Sequence, residues 1–503
     1  MTSKSTTFLQ AIGQFYSYTE YSARLHRLGL HSLSTIATMW PMMVPQPAPT
    51  RHTGVRLWWL VSCWWGVLGC ALVGTGMAQE IVLKAWTIGP DEPSVYRATN
   101  LHTAAERLNA ELTQAGAPER IKVETDFWTG QAQLYVQRVL LAFQSGDIPD
   151  IVLNGHEFIG RYALGGYIRP LDEFLAAHQT ALADVYPVLW QAVRFRGQVW
   201  GIPQDTEARM MYVRTDHLRK LGWGEEAITG LPQRVEHGEF TLFDLVELAQ
   251  RVKEAGIAPW GLYHHPTGGV DVFQIYLAFG GQMVDDTSEQ LILSTAALQE
   301  LLQYHHDLVY RWKITPATMA SMPWGTILKS FVDGVMTFWQ GGTWHKAEWS
   351  TNYGLSEEAF ANNMSFFPIP AARRGGQPIG ISHPMVYMIS SRSKYPALAF
   401  RLLVHAAAAE VNAQHALHSG HLAIRTAEAE LPAYAANRFL RQATGLLRYA
   451  HFAPNHAEWP QYEAIVTEAI RAVQTRRLAP SEAVQFVTTR VRQQLRQQVR
   501  IVD

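Results

Sequence analysis

The sequence predicts an α/β fold of two lobes joined by a hinge, with a ligand cleft between the lobes. Strands and helices alternate over 81–154, and a second alternating series follows residue 241. Between them, the stretch 199–223 interrupts the regular pattern. Alternation of this kind is typical of parallel sheets covered by helices. Clefts between such lobes are where ligands of two-lobed proteins usually bind.

The first series contains three short apolar stretches with helical patterns between them. We expect strands at 81–86, 121–128 and 151–154 and helices at 101–115 and 135–145, the second of which ends at Gly146. Apolar runs of this length favour buried strands, and glycine directly after a helix is a common cap. Ligands of parallel sheets bind beyond the carboxyl ends of the strands. Here those ends carry Trp86, Trp128 and the run Asn154-Gly-His-Glu157.

The stretch 199–223 is predicted to carry the chain from one lobe to the other. Pro203 has no amide donor and restricts the residue before it, so we expect the chain to leave the sheet here. A short acidic patch follows with Asp205 and Glu207, and then an apolar strand at 210–213. Alternate residues of an extended chain share a face, so both carboxylates can point into the cleft together. We expect at least one of them to contact the ligand, with an ion pair to Arg209 as the alternative for the other.

The second series shows helix and turn signals of its own. Thr241 and Asp244 form a capping box that opens a helix, and 260–265 is an aromatic segment that runs from a strand into a loop. Residues 326–332 end a helix, and the next strand leads to Gln340-Gly-Gly-Thr-Trp344. The glycine pair, which includes Gly342, allows close approach of the backbone to a ligand, and Trp344 supplies a flat surface.

Composition narrows the class of protein. The 503 residues are 48% hydrophobic and 17% charged, with a formal net charge of -1. Proteins that bind nucleic acid usually present a basic surface, so this balance gives no reason to expect one. The chain has 17 Trp, more than a core requires, and aromatic rings are suitable surfaces for sugar faces.

The N-terminal region is predicted to carry an export signal. Residues 57–78 contain no charge and follow Arg51 and Arg56, the pattern of a secretory signal peptide within 51–78. Two cleavage sites fit: one after Ala78, and one before Cys70 in a lipobox-like Val-Leu-Gly-Cys that would leave a lipid-modified cysteine. A retained membrane anchor is the alternative. Residues 1–50 are expected to be a non-native or disordered extension.

Several segments, taken in order and spacing, resemble the family 1 extracellular solute-binding proteins of bacterial ABC importers, which include maltose- and trehalose-binding proteins. Among them are GDIPDIVLNGHEF, FRGQVWGIPQDTEARMMYVRTDHLRKLG and FVDGVMTFWQGGTW. Together with others, they cover nearly all of 80–495.

The resemblance implies a type II periplasmic-binding-protein-like fold with three hinge crossings, near 201–207, 380–385 and 452–457. Lobe 1 would comprise 80–203 plus 385–452, and lobe 2 would comprise 205–380 plus 456–503. It also implies an exported monomer that binds a sugar or oligosaccharide and presents it, unaltered, to the transmembrane permease.

Eleven residues are predicted to contact the ligand, either at strand ends, at the hinge patch or at positions that match the family's stacking aromatics. They are Trp86, Asn154, Glu157, Asp205, Thr206, Glu207, Tyr263, His264, Gly342, Trp344 and Trp459. No cofactor is expected. A metal site at His264 and His265 is not expected either, because no third ligand has a recognisable spacing.

Three other readings stay open. Lys84 and Arg209 would suit a polyol or a glycerol-phosphate type of ligand. An exported glycoside hydrolase would use Asp205 and Glu207 as its carboxylate pair, although adjacent hinge positions are poor supports for that chemistry. A membrane-tethered sensor or adhesion domain would use the same fold without transport.

Overall fold

The computed structural model describes residues 79–89, 92–266, 269–285 and 288–503. The predicted signal at 51–78, its Cys70 and the extension at 1–50 lie outside these residues. Among the helices of the described ranges, none combines the length and the apolar character that a membrane crossing needs.

The strands are β1 (Gln79–Ile88), β2 (Glu119–Trp128), β3 (Ile151–Gly155), β4 (Arg194–Phe195), β5 (Gln198–Val199), β6 (Ile202–Asp205), β7 (Arg209–Arg214), β8 (Trp260–Tyr263), β9 (Leu291–Ser294), β10 (Met336–Gly342), β11 (Met364–Phe367), β12 (Gly380–Ile381), β13 (Met385–Ile389), β14 (Ala450–His451) and β15 (Val499–Val502).

The helices are α1 (Tyr96–Gln114), α2 (Ala132–Ser145), α3 (Ile159–Leu164), α4 (Asp172–Ala177), α5 (Pro187–Ala192), α6 (Thr215–Lys220), α7 (Glu225–Thr229), α8 (Leu231–Glu236), α9 (Leu242–Glu254), α10 (Asp271–Ala278), α11 (Thr295–Tyr310), α12 (Trp324–Val332), α13 (Trp344–Tyr353), α14 (Glu357–Asn363), α15 (Pro396–Ala406), α16 (Ala409–Ser419), α17 (Thr426–Ala429), α18 (Pro432–Ala436), α19 (Arg438–Thr444), α20 (Trp459–Gln474) and α21 (Pro480–Gln494). Short 3-10 helices cover Glu92–Val95, His156–Phe158, Gln179–Leu182, Met319–Ser321, Gly445–Tyr449 and Arg496–Gln498.

The first sheet has the strand order β2-β1-β3-β13-β6. The strands β1, β2 and β3 run parallel, as the alternation predicted, and α1 and α2 connect them. The strands β13 and β6 run antiparallel to their neighbours, so the sheet is mixed rather than parallel. A short passage to the second sheet follows β6, and another precedes β13. Neither strand is therefore joined to its neighbour by the long helical crossover that parallel strands require.

The second sheet has the order β14-β12-β7-β10-β8, with β11 also paired to β7. Its centre is β7, the apolar strand predicted after the acidic patch, which pairs antiparallel with β10. The predicted capping box is present, because the Thr241 hydroxyl accepts from the Asp244 amide and the Asp244 carboxylate accepts from the Thr241 amide. Each sheet therefore carries an α/β lobe, which confirms the predicted fold class.

Two short passages join the sheets, between Asp205 and Arg209 and between Ile381 and Met385. Segment 385–452, predicted as part of lobe 1, is divided in the structure. Its α15 packs in the core of the first sheet, whereas Tyr434 and Phe439 are buried with Tyr212 of the second sheet. These two aromatic side chains therefore pack with the second sheet, whereas α15 packs with the first. Segment 452–457 contacts both lobes, through Phe452 on one side and Ala453 on the other.

Candidate functional site

A cavity of about 580 Å³ lies where the two lobes meet. Its walls come from the ends of β1 and β3, from the passage between β6 and β7, and from the first turns of α10, α13 and α20. This is the position that strand-end reasoning predicted. Its lining side chains with polar or aromatic groups are Arg97, Asn154, Glu157, Phe158, Glu207, Arg209, His265, Asp271, Trp344, His383, His421, Trp459 and Glu463.

Arg209 is the centre of a buried charge network on the second-lobe wall. Its guanidinium lies 2.6 Å from a carboxylate oxygen of Glu207 and 2.6 Å from one of Asp271. Burial raises the pKa of Glu207, and the charge of Arg209 opposes this effect. Arg209 was considered both as a cation for a charged ligand and as an ion-pair partner of a hinge carboxylate, and the structure pairs it with two carboxylates.

Trp344 begins α13 and lines the cavity beside this network. Its ring centroid lies 4.9 Å from the guanidinium carbon of Arg209, within the range of a cation–π interaction. The ring folds back over Gly342, where a Cβ atom would lie 1.6 Å from the ring. Gly342 does not line the cavity itself. The glycine is therefore required by the position of Trp344 rather than by close approach of a ligand to the backbone.

Glu157 lies on the first-lobe wall, directly after β3. Its Oε2 atom is 2.8 Å from Nε2 of His383, which follows β12. Burial alone would raise the pKa of Glu157, but the charge of His383 and its hydrogen bond outweigh burial and lower it to about 2. The same contact raises the pKa of His383 against the opposing effect of burial. The pair thus places an ionised carboxylate at the cavity wall.

Glu463 supplies a carboxyl group of a different kind. It lies one turn after Trp459 on α20, and among the described residues it has no hydrogen-bond or ion-pair partner. Burial, followed by the charge of Glu157, raises its pKa to about 7. Sequence reasoning missed this residue, although its spacing of four from Trp459 would place both on one helix face.

Asp205 does not line the cavity. It is fully buried behind the wall, where it forms an ion pair with Arg97 at 2.7 Å and lies 2.9 Å from Nε2 of His415. The neighbouring Thr206 is also buried, and its hydroxyl lies 2.6 Å from that of Ser382 in the second passage. The expectation that Asp205 and Glu207 both point into the cleft is corrected, since only Glu207 does.

Of the other predicted residues, Asn154 lines the cavity and donates from its side-chain amide to the hydroxyl of Tyr162 at 2.8 Å. Trp459 lines it too, but its side chain is only 1% exposed and packs on Phe273. Trp86 lies outside the lining, with the guanidinium carbon of Arg138 3.8 Å from its ring centroid.

Tyr263 and His264 are likewise placed elsewhere, in the interior of the second lobe. Nε2 of His264 is 2.8 Å from the side-chain nitrogen of Gln474. Tyr263 is the last residue of β8 and packs in the core beside β10, and His264 follows the strand and is also buried. For these two, the structure does not support contact with a ligand in the cavity.

A second cavity of about 1230 Å³ shares Trp344 with the first. It extends between α1, α13 and α16, and its walls include Tyr96, Trp324 and His418. The rings of Tyr96 and His418 stack with centroids 5.1 Å apart. The two cavities therefore share the Trp344 side chain in their walls.

The family model for bacterial extracellular solute-binding proteins matches residues 104–413, which include most of both sheets and the two short passages between them. The chain belongs to this family. The predicted resemblance is thereby confirmed.

Solved structures of solute-binding proteins show the same fold. The sugar-binding protein MalE from Xanthomonas citri is 18% identical, covers 82% of this chain and 97% of its own, and has a TM-score of 0.66. Maltose-bound MalE3 of T. maritima is also 18% identical, with 82% and 99% covered and a TM-score of 0.64. A maltotriose-binding protein of Pyrococcus abyssi is 21% identical over 204 residues. The match spans 41% of this chain and 40% of the length of that relative.

Proposed function

We propose that this protein binds a sugar or oligosaccharide between its lobes and delivers it, unaltered, to the permease of an ABC importer. The observation that carries the proposal is the interlobe cavity, in which the ring of Trp344 lies beside the carboxylates of Glu157, Glu207 and Glu463. Sugars offer CH-rich faces to aromatic rings and hydroxyl groups to carboxylates. Relatives named as maltose- or maltotriose-binding support the same ligand class.

The cavity walls favour an uncharged ligand over a glycerol phosphate. The two guanidinium groups in its lining, those of Arg97 and Arg209, each pair with carboxylates of the protein. Neither is left to neutralise a phosphate group, which usually takes charge-assisted hydrogen bonds from arginine. A neutral polyol remains compatible with these walls and is the second candidate ligand.

We assign ligand contact to Asn154, Glu157, Glu207 and Trp344, and we add Glu463. Trp459 would contribute through its exposed edge only. Asp205, Thr206 and Gly342 would act indirectly, by fixing the passage between lobes and the Trp344 ring. We do not propose hydrolysis of the ligand, because Asp205 is paired with Arg97 behind the wall and does not face the cavity together with Glu207.

The proposed place of action is outside the cytoplasm. The apolar segment within 51–78 would direct export, with cleavage after Ala78 or lipid attachment at Cys70. Mass spectrometry of the N-terminal peptide of the native protein distinguishes cleavage after Ala78 from lipid attachment at Cys70. We propose that the protein functions as a monomer.

A thermal-shift screen of the purified protein tests the ligand class. The panel should hold monosaccharides, disaccharides, maltodextrins, polyols and glycerol phosphates. A ligand that binds only the folded protein raises the melting temperature with its concentration. We expect a sugar or oligosaccharide to give the largest rise, and a rise with glycerol phosphates alone would contradict the proposal.

A further inference from the structure

Three metal-ligating side chains converge at the first-lobe wall of the cavity. We call His156, Glu157 and His383 the His–Glu–His cluster; one ligating atom of each lies within 4.8 Å of the others. Nε2 of His383 is 2.8 Å from Oε2 of Glu157, and Nδ1 of His156 is 3.7 Å from the same oxygen. The cluster thus brings two imidazole nitrogens to one carboxylate oxygen.

The fold fixes these side chains from two separate elements. His156 and Glu157 form the 3-10 turn directly after β3, and His383 lies in the passage from β12 to β13. The strands β3 and β13 pair antiparallel, with Met385 opposite Gly155. The backbone amide of His156 also donates to the Pro384 carbonyl at 3.1 Å. The strand pairing and the turn together fix the relative positions of the three residues.

His156 is the informative member, because its side chain is fully buried and one ring nitrogen has no partner. Its Nε2 lies 3.1 Å from the carbonyl oxygen of Ala453, an arrangement in which Nε2 carries the hydrogen and donates it. Nδ1 then holds a lone pair, and it has no hydrogen bond. Nδ1 lies 3.7 Å from the Oε2 atom of Glu157, which is itself an acceptor and supplies no hydrogen to it. Buried polar atoms without a partner are rare and call for an explanation.

We propose that the His–Glu–His cluster binds a divalent transition-metal ion of the zinc class. Two histidines and one carboxylate are a common three-ligand set for zinc, which leaves a fourth position for another group. Donor atoms at about 2.0–2.2 Å from a tetrahedral ion lie about 3.3–3.6 Å from one another. The observed separations of 2.8 and 3.7 Å bracket this range, so small side-chain rotations suffice. The hydrogen bond from His156 to Ala453 is the outer contact that orients such a ligand.

A simple ion pair between His383 and Glu157 accounts for only part of the arrangement, since it leaves Nδ1 of His156 unsatisfied.

A second cluster, of Asp205, His415 and His421, is less suited to a metal. There the carboxylate already pairs with the Arg97 guanidinium at 2.7 Å, and a fixed cation opposes the entry of another. Glu157 and His383 both line the cavity, so the fourth position of the proposed ion would be reached from it. Glu157 is shared with the proposed sugar site, so the test below uses zinc alone as the probe.

The test uses the full chain, purified without a histidine tag, stripped with a chelator and dialysed. Zinc is titrated in by calorimetry, and Co²⁺ is titrated in parallel to record the visible absorption of a tetrahedral site. The variants are Glu157→Gln and His383→Gln, whose side chains are 15% and 24% exposed and therefore tolerate substitution better than the buried His156. His237→Gln, on the surface and outside the cluster, is the matched control.

We expect one zinc ion per chain, and at least a hundredfold loss of affinity in each cluster variant with no change in the control. Circular dichroism and the melting temperature of each metal-free variant establish that it is folded. The proposal is overturned if the stripped protein takes up no zinc, or if both folded cluster variants bind zinc as tightly as the unaltered protein. Because zinc alone is the probe, either result is independent of whether a sugar binds.

Discussion

The guanidinium carbon of Arg209 lies 4.9 Å from the centroid of the Trp344 ring, and two carboxylates hold that guanidinium in place. Glu207 and Asp271 approach it from separate elements, the passage after β6 and the start of α10. The orientation of the ring is therefore set by the protein rather than by a ligand. A side chain that is already ordered loses less conformational freedom when it binds, which favours affinity.

Substitution Trp344→Ala should lower the affinity for the bound sugar at least tenfold, or about 1.4 kcal/mol. The change removes the aromatic surface and the partner of Arg209 but leaves the ion pairs intact. Titration followed by tryptophan fluorescence or calorimetry measures the effect. Phe243→Ala is the matched control, since that ring is 45% exposed and lies outside the cavity lining. Equal affinities of the Trp344 variant and the control would remove Trp344 from the site.

Substitution Gly342→Ala should weaken ligand binding although residue 342 does not line the cavity. The added Cβ would lie 1.6 Å from the Trp344 ring, so the ring must move. We expect a loss of affinity comparable to that of Trp344→Ala. Gly224→Ala is the control, because no atom lies within 4 Å of the Cβ position there. If Gly342→Ala binds the ligand as the unaltered protein does, the fixed orientation of the ring is not what binding depends on.

The sequence predicted much of the fold, because its signals there are local. The strands that the apolar runs form, the cap at Gly146 and the capping box at Thr241 all depend on residues a few positions apart. The same holds for Trp344, which lies two residues after Gly342. These features appear in the structure at or near the predicted positions.

Side-chain direction at the site depended on residues far apart in sequence. Asp205 is turned away from the cavity by Arg97, which is 108 positions earlier, and this partner has no local signal. Tyr263 and His264 were expected at the cavity, but the packing of β8 beside β10 directs them into the core. His383 reaches Glu157 only because β13 pairs with β3. Pairing across the sheet, rather than composition, decided which polar groups meet.

Substitution Asp205→Asn should strongly destabilise the protein. The side chains of Asp205 and Arg97 are only 1% and 4% exposed, so the substitution leaves the Arg97 guanidinium buried without its countercharge. Breaking a buried ion pair from one side costs about 3–5 kcal/mol of the free energy of unfolding. Urea denaturation measures the loss. The control is Asp333→Ala, which removes an exposed pair with Lys329 and should cost less than about 1 kcal/mol. Losses of equal size would show that the Arg97–Asp205 pair has no special role.

Glu428 should make the protein less stable as pH rises. Burial raises its pKa from 4.5 to about 8, against the opposing hydrogen bond from the Ile424 amide. The folded chain therefore holds this proton more tightly than the unfolded chain. The free energy of unfolding falls as pH rises from about 4.5 to about 8 and then levels off.

Substitution Glu428→Gln removes this dependence. Its advantage over the unaltered protein should be small at pH 4.5 and should grow to on the order of 4 kcal/mol at pH 8. Urea denaturation of both proteins at several pH values measures the difference. A difference that does not change with pH would mean that Glu428 is ionised in the folded protein throughout this range.

The central claim is that the cavity binds a hydroxyl-rich ligand and releases it unchanged. Calorimetric titration of the purified protein with the sugar that raises its melting temperature most, followed by chromatography of the recovered sugar, tests this directly. The account predicts one binding site per chain and complete recovery of the intact sugar. Cleaved sugar, or no measurable binding of any sugar or polyol in the panel, would contradict it.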